Sequence, residues 1–199
     1  MGNSKFEMEK FENIKGSDGR PEGGLLAKTS KMADNVIVSE ANRVLIAEDH
    51  YVSRHLLERN LTNWGFTVVT AEDGEEALAI LESDNAPPLA ILDWIMPKMD
   101  GLEVCARVRK HANKPYVYLV LLTAKSQKEE IAAGLQAGAD DYVIKPFDPD
   151  ELRARLTVGQ RVVVLERALA RKGAELESAL AELEKLKSPL PQAGQPVGS

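Results

Sequence analysis

The sequence predicts an α/β domain, a doubly wound five-stranded parallel sheet, followed by one extended C-terminal helix. Three observations predict it. From residue 42 onward five short apolar runs alternate with four amphipathic segments, the pattern of right-handed βαβ crossovers. Several runs are apolar at consecutive positions, as strands buried on both faces are. From Pro149 to Lys187 the composition turns to Ala, Leu, Glu, Lys and Arg, which reads as one long helix.

The strand-like runs are RVLIA (43–47), FTVVT (66–70), LAIL (89–92), YVYLVLL (116–122) and DYVI (141–144). Between them lie SRHLLERNLTNW (53–64), GEEALAILES (74–83), GLEVCARVRK (101–110) and KEEIAAGLQAG (128–138), each with apolar residues three or four apart. Gly65 and Gly138 follow helical segments, where a left-handed cap is expected, and Pro87–Pro88 precede a strand. Asp148 is the expected N-cap of the long helix and Pro149 its first residue. Residues 1–41 are polar and aperiodic and read as a flexible extension, with a short helix around Phe6 to Ile14. The main domain is expected over 42–157, a helical extension over 158–187 and a disordered tail over 188–199.

The 199 residues are 44% apolar and 28% charged, with a formal net charge of −6. That acidity argues against a general nucleic-acid binder, and no direct DNA binding is expected. The single cysteine, Cys105, excludes an internal disulfide and a cysteine-rich zinc site. Beside Leu102 and Val108 on a helix face it reads as small core filler. His50, His55 and His111 lack metal-ligand spacing. No run approaches a membrane span, and the N-terminus lacks the apolar core of a signal peptide. Phe6 stands where a myristoylation pattern needs Ser or Thr. A reducing cytoplasm is the expected location.

The stretch LAILDWIMPKMDG (89–101) ends an apolar run in an acid. An acid there is costly unless it sits at the strand's open end, and in such sheets the carboxyl ends are where ligands bind. Glu48–Asp49 follow the first strand, Asp93 the third, Thr123 ends the fourth, and Lys145–Pro146 follow the fifth. Three carboxylates, a hydroxyl and a lysine therefore share one edge. Carboxylates that close repel one another, and a hard divalent cation such as Mg²⁺ relieves the repulsion. The lysine and hydroxyl suit an anion, so the set reads as a site for phosphoryl transfer to Asp93. Each residue alone has a plainer reading: a helix cap for Glu48–Asp49, a turn for Asp93, strand filling for Thr123, a solvated charge for Lys145, packing for Tyr142. Those readings would have to coincide at one edge, and the site reading is preferred.

Over roughly residues 42 to 157 the sequence resembles the receiver domain of two-component response regulators. The motifs LIAEDH, LDWIMPKMDG, LLTAK and GADDYVIKPF carry the resemblance, in that order and each at a strand end. It implies a flavodoxin-like fold, with Asp93 phosphorylated by a histidine kinase or phosphotransfer protein. It implies Mg²⁺ held by Glu48, Asp49, Asp93 and the backbone carbonyl of Ile95, with Lys145 on the phosphoryl oxygens. Thr123 and Tyr142 would be the switch pair, Ala124 a small neighbour of the phosphoryl group, and Lys145–Pro146 a cis bond. The resemblance implies a signalling switch rather than an enzyme, catalysing only its own phosphorylation and dephosphorylation. Apolar Ile95 stands where some relatives carry a group that orients attacking water, so a persistent phosphoryl group is expected. Haloacid-dehalogenase-type phosphatases also use Asp, Thr and Lys in that order, but they need a second acid at the position of Ile95. Their metal acids also come late in the chain, not at 48–49.

About forty residues follow Leu156, too few for a winged-helix, cyclase or phosphatase output domain. Placing Val162, Leu169, Leu176 and Leu183 at heptad position a puts Leu165, Lys172, Ala179 and Leu186 at d. In a parallel pair Arg161 meets Glu166 of the other chain, and Glu182 meets Lys187. The expectation is a parallel coiled-coil homodimer, softened at Lys172 and Gly173, whose geometry changes on phosphorylation. The segment also resembles the signalling helix that joins receivers to cyclase domains. The alternatives are a helix folded onto its own domain, a monomeric phosphorelay shuttle, or the receiver piece of a longer regulator. The cognate kinase, the signal and the downstream target are not legible in the residues.

Overall fold

The computed structural model describes residues 41–110, 114–124 and 128–187, without the side chains of 128–131 and 187. The expectations for residues 1–40, 188–199 and His111 lie outside the described residues. In chain order the elements are β1 (Arg43–Ala47), α1 (Tyr51–Asn63), β2 (Thr67–Ala71), α2 (Gly74–Leu81) and β3 (Leu89–Asp93). They continue with α3 (Gly101–Lys110), β4 (Tyr118–Thr123), α4 (Lys128–Gln136), β5 (Asp141–Ile144) and α5 (Pro149–Lys187). All strand pairs are parallel and the order is β2-β1-β3-β4-β5. The order reverses between β1 and β3, which opens a crevice at their carboxyl ends.

Side chains alternate across this sheet because successive Cβ atoms point to opposite faces. Leu45, Ala47, Ala90, Leu92, Leu119 and Leu121 share a core with residues of α2 and α3 and, partly buried, of α4. Val44, Ile46, Leu89, Ile91, Val120 and Leu122 share the opposite core with residues of α1 and α5. Both faces are covered, which is why β1, β3 and β4 read as unbroken apolar runs. Two strands start later than their apolar runs. Phe66 N–H closes the end of α1 on the Leu61 carbonyl (3.0 Å), so β2 begins at Thr67. Ahead of β4, Tyr116 bonds Asp140 and the Val117 carbonyl accepts from Arg109, so pairing begins at Tyr118. Gly65 and Gly138 have φ of 88° and 102°, the left-handed caps that their positions called for.

Helix α5 starts at the carboxyl edge. The Asp148 carboxylate accepts from the N–H groups of Asp150 (2.8 Å) and Glu151 (3.0 Å), as an N-cap should. Leu152, Leu156 and Val163 are fully buried against the sheet. Between them, a Cβ at Gly159 would lie 2.5 Å from the Tyr118 ring, so the approach of helix to strand requires glycine. Gln160 bonds Asn42 (2.6 Å), just ahead of β1, so the helix has by then reached the opposite edge. Burial continues in part to Arg171, past the domain edge expected near residue 157. From Lys172 to Leu186 every side chain is exposed.

Candidate functional site

The parallel register assembles the site. Ala47 pairs with Leu92, so Glu48 and Asp93, one residue further, leave the sheet side by side. Asp93 pairs with Leu122 and Thr123 with Ile144, which brings Thr123 and then Lys145 to the same edge. The Lys145 N–H donates to the Thr123 carbonyl at 2.7 Å. Glu48, Thr123 and Asp93 are only 1%, 1% and 8% exposed, whereas Asp49 is open to solvent.

The Lys145 ammonium lies 2.6 Å from Glu48 Oε2 and 2.9 Å from Asp93 Oδ2. One carboxylate oxygen each from Glu48, Asp49 and Asp93 falls within 4.8 Å of the others. Burial pushes the Glu48 carboxyl above its ordinary value and the Asp93 charge adds to this, while Lys145 opposes both. Burial alone would lower the Lys145 pKa, but hydrogen bonds to Glu48 and Asp93 hold it above the ordinary value. One lysine does not neutralise three carboxylates. An all-oxygen set of this size, open on the Asp49 side, fits a hard divalent cation and offers nothing to a soft one.

The other expected residues fall as follows. The Lys145–Pro146 bond is cis. Tyr142 is half-buried on β5, against the core shared by α2, α3 and α4. Ile95 lies two residues past Asp93 and is 63% exposed. Of the helix residues, Val162 is half-buried against the domain, while Leu165, Leu169, Leu176, Leu183 and Leu186 are exposed. A groove lined by Arg43, Asp84, Lys114, Tyr116 and Arg167 lies at the opposite edge of the sheet, away from the acids.

The sequence does not mark Arg54 as part of the site. It donates to the carbonyls of Glu48 (2.7 Å) and Asp49 (3.2 Å) and pairs with Glu72 (2.7 Å), pinning the backbone of the acid pair. In the sequence it is one more cation on a helix, and only its position one turn after the acids hinted at a role. The loop after β3 is held just as closely. A Cβ at Gly101 would lie 2.3 Å from the Asp93 carbonyl, and one at Gly74 would lie 2.0 Å from that of Met99. Lys98, at φ 65°, reaches back to pair with Asp73, the N-cap of α2.

A doubly wound sheet with acids, a lysine and a threonine gathered at its switch-point edge defines a class of α/β domain that keeps its chemistry on the carboxyl ends. Within that class, the chain belongs to the response regulator receiver domain family, whose model matches residues 44–157. It is 45% identical over 114 residues to "Probable transcriptional regulator ycf27" of Cyanophora paradoxa, covering 57% of this chain and 46% of that one. Against the alkaline phosphatase synthesis transcriptional regulatory protein PhoP of Bacillus subtilis the identity is 42%, with the same coverage. The chain thus spans about half the length of the curated relatives it matches. The solved structure of the Francisella response regulator 1452 receiver domain aligns with a TM-score of 0.56 at 31% identity, covering 60% of this chain and 96% of that one.

Proposed function

We propose that Asp93 accepts a phosphoryl group from a histidine kinase or phosphotransfer protein, and that this switches the chain between two signalling conformations. The observation that carries the reading is the contact of Lys145 with both Glu48 and Asp93 at the end of β3, with Asp49 alongside. In the transfer an Asp93 carboxylate oxygen attacks phosphorus in line. The phosphorus–nitrogen bond to the donor histidine breaks, and the imidazole leaves with its electron pair. Glu48, Asp49, Asp93 and the Ile95 carbonyl would hold Mg²⁺, which when bound offsets charge on the phosphoryl oxygens. Lys145 is already within hydrogen-bond reach of Asp93 and can take one of those oxygens.

The acyl phosphate adds close to two negative charges at the end of β3. The Thr123 hydroxyl, on the neighbouring strand end, then turns toward it, and Tyr142 fills the space released. Arg155 of α5 pairs with Asp141 of β5 at 2.7 Å, so a change at Tyr142 is one residue from the output helix. The output in this reading is an altered arrangement of two copies through α5, so the protein is a switch and not an enzyme. Ile95 offers no polar side chain to orient water, so the phosphoryl group should persist. No described helix is long and apolar enough to cross a membrane, and the cytoplasm is the proposed site of action. The net charge of −6 does not favour direct DNA contact.

The test is label transfer from a phosphorylated kinase or acetyl phosphate. The wild-type chain should take up label only with Mg²⁺ present, and Asp93→Asn should take up none. Undiminished labelling of Asp93→Asn would overturn the assignment.

A further inference from the structure

The exposed leucines of α5 form one continuous face. At about 100° per residue, Leu165, Leu169, Leu176, Leu180, Leu183 and Leu186 fall within an arc of about 120°. Leu152, Leu156, Gly159 and Val163, which pack on the sheet, centre about 150° away round the helix. The stripe therefore points away from the receiver, and a fold-back onto its own domain is not open to it. Ala168 and Ala179 share the arc, and Lys172 is the one polar residue in it between Leu165 and Leu186. The Lys172 ammonium is drawn aside to Glu175 at 2.7 Å, which leaves only its aliphatic stem on the stripe. The stripe is roughly 30 Å long and leaves the molecule at the edge opposite Asp93.

We propose that a second copy of this chain covers this stripe, as a parallel two-helix seam from Leu165 to Leu186 with the two receivers on its outside. The proposal rests on the reading of α5 as the output element and is independent of the phosphoacceptor. Its occupant is argued from complementarity. In parallel register the exposed Arg161 of one copy stands opposite the exposed Glu166 of the other, and each leucine layer meets its own kind. A projecting helix with this much apolar surface is marginal alone and gains its stability from a packed apolar face. Val162, which the heptad spacing assigns to the seam, is committed to the receiver core, so the seam starts one layer later than the spacing implies.

The chain carries its own control for a cross-linking test, because Cys105 is fully buried and stays out of the reaction. In the full chain without a phosphoryl donor, Leu183→Cys should oxidise to a disulfide-linked dimer, while Glu184→Cys on the outer face should remain monomeric. Equal linking of both variants, or of neither, overturns the proposal. Linking of Leu176→Cys without Leu183→Cys shows an antiparallel pair and overturns the register. Light scattering supplies the second measurement. The wild-type chain should have the mass of a dimer and Leu176→Glu/Leu183→Glu that of a monomer. A monomeric wild type would mean that something other than a second copy covers the stripe, and would overturn the proposal. Both forms should still label at Asp93. Loss of labelling in both would sink the receiver reading and leave the seam standing.

Discussion

Lys145 holds the carboxyl edge together before any ligand arrives. Its ammonium touches Glu48, which is almost fully buried, and Asp93 in the same pocket. Removing it leaves two desolvated carboxylates facing each other. Lys145→Ala should destabilise the protein by about 2 kcal/mol in divalent-free buffer, read from urea denaturation. Mg²⁺ should recover more stability in that variant than in wild type, since it supplies the missing positive charge. An equal Mg²⁺ effect in both proteins would count against a shared cation site. Cys105 illustrates the opposite situation, a polar group with no task. Burial pushes its thiol from 9.0 up to about 12. The folded protein keeps that proton after the unfolded chain has lost it. The stabilising contribution is therefore complete below pH 9 and lost as pH rises toward 12. A thiol reagent at about pH 8 should label the unfolded chain and spare the native one.

Among the elements, α5 carries two glycines with opposite consequences. Gly159 faces the Tyr118 ring at a distance no Cβ tolerates, and Gly173 has nothing within 4 Å. Gly159→Ala should push the helix off β4 and cost about 1–3 kcal/mol, as overpacking does. Gly173→Ala should stabilise the helix by up to about 1 kcal/mol and raise its dichroism at 222 nm, because alanine only removes backbone freedom there. Reversed signs would mean that α5 does not lie against the sheet as described. The two positions divide the helix into a half that the receiver supports and a half that it does not.

At the scale of the molecule, the chemistry and the free helix occupy opposite edges of one sheet. In the proposed switch, a signal from Asp93 would run the packed length of α5, from Pro149 to Arg171. Arg155–Asp141 and Gln160–Asn42 tie that stretch to the domain at two levels. Beryllofluoride, which mimics a phosphoryl group on Asp93, should change the arrangement of a dimer that forms without it. Scattering with and without the mimic should give the mass of a dimer in both cases, with a changed radius, and an unchanged radius would count against a switch transmitted through α5. Truncation after Arg171 removes only exposed side chains of the described helix, so its melting temperature should be independent of protein concentration. That of the full chain should rise with concentration, as mass action requires of a dimer.

Local chemistry determined much of this protein by itself. The period of the apolar residues, the Asp148–Pro149 start and the Gly65 and Gly138 stops are properties of neighbours in sequence, so the elements were legible to within a residue or two. The edge residues Glu48, Asp49, Asp93, Thr123 and Lys145 were legible for a related reason: each ends a strand or lies within two residues of its end, and parallel strands end together. Distances across the chain decided the rest. Nothing in the spacing of Arg54 says that its guanidinium grips the carbonyls of the acid pair, because that contact depends on how α1 turns back over β1. Val162 shares the heptad pattern of Leu169, yet the sheet takes it while the leucine stays exposed. The seven-residue repeat marks which residues share a helix face. Only the packing of Leu152, Leu156, Gly159 and Val163 on the sheet decides that this face turns outward.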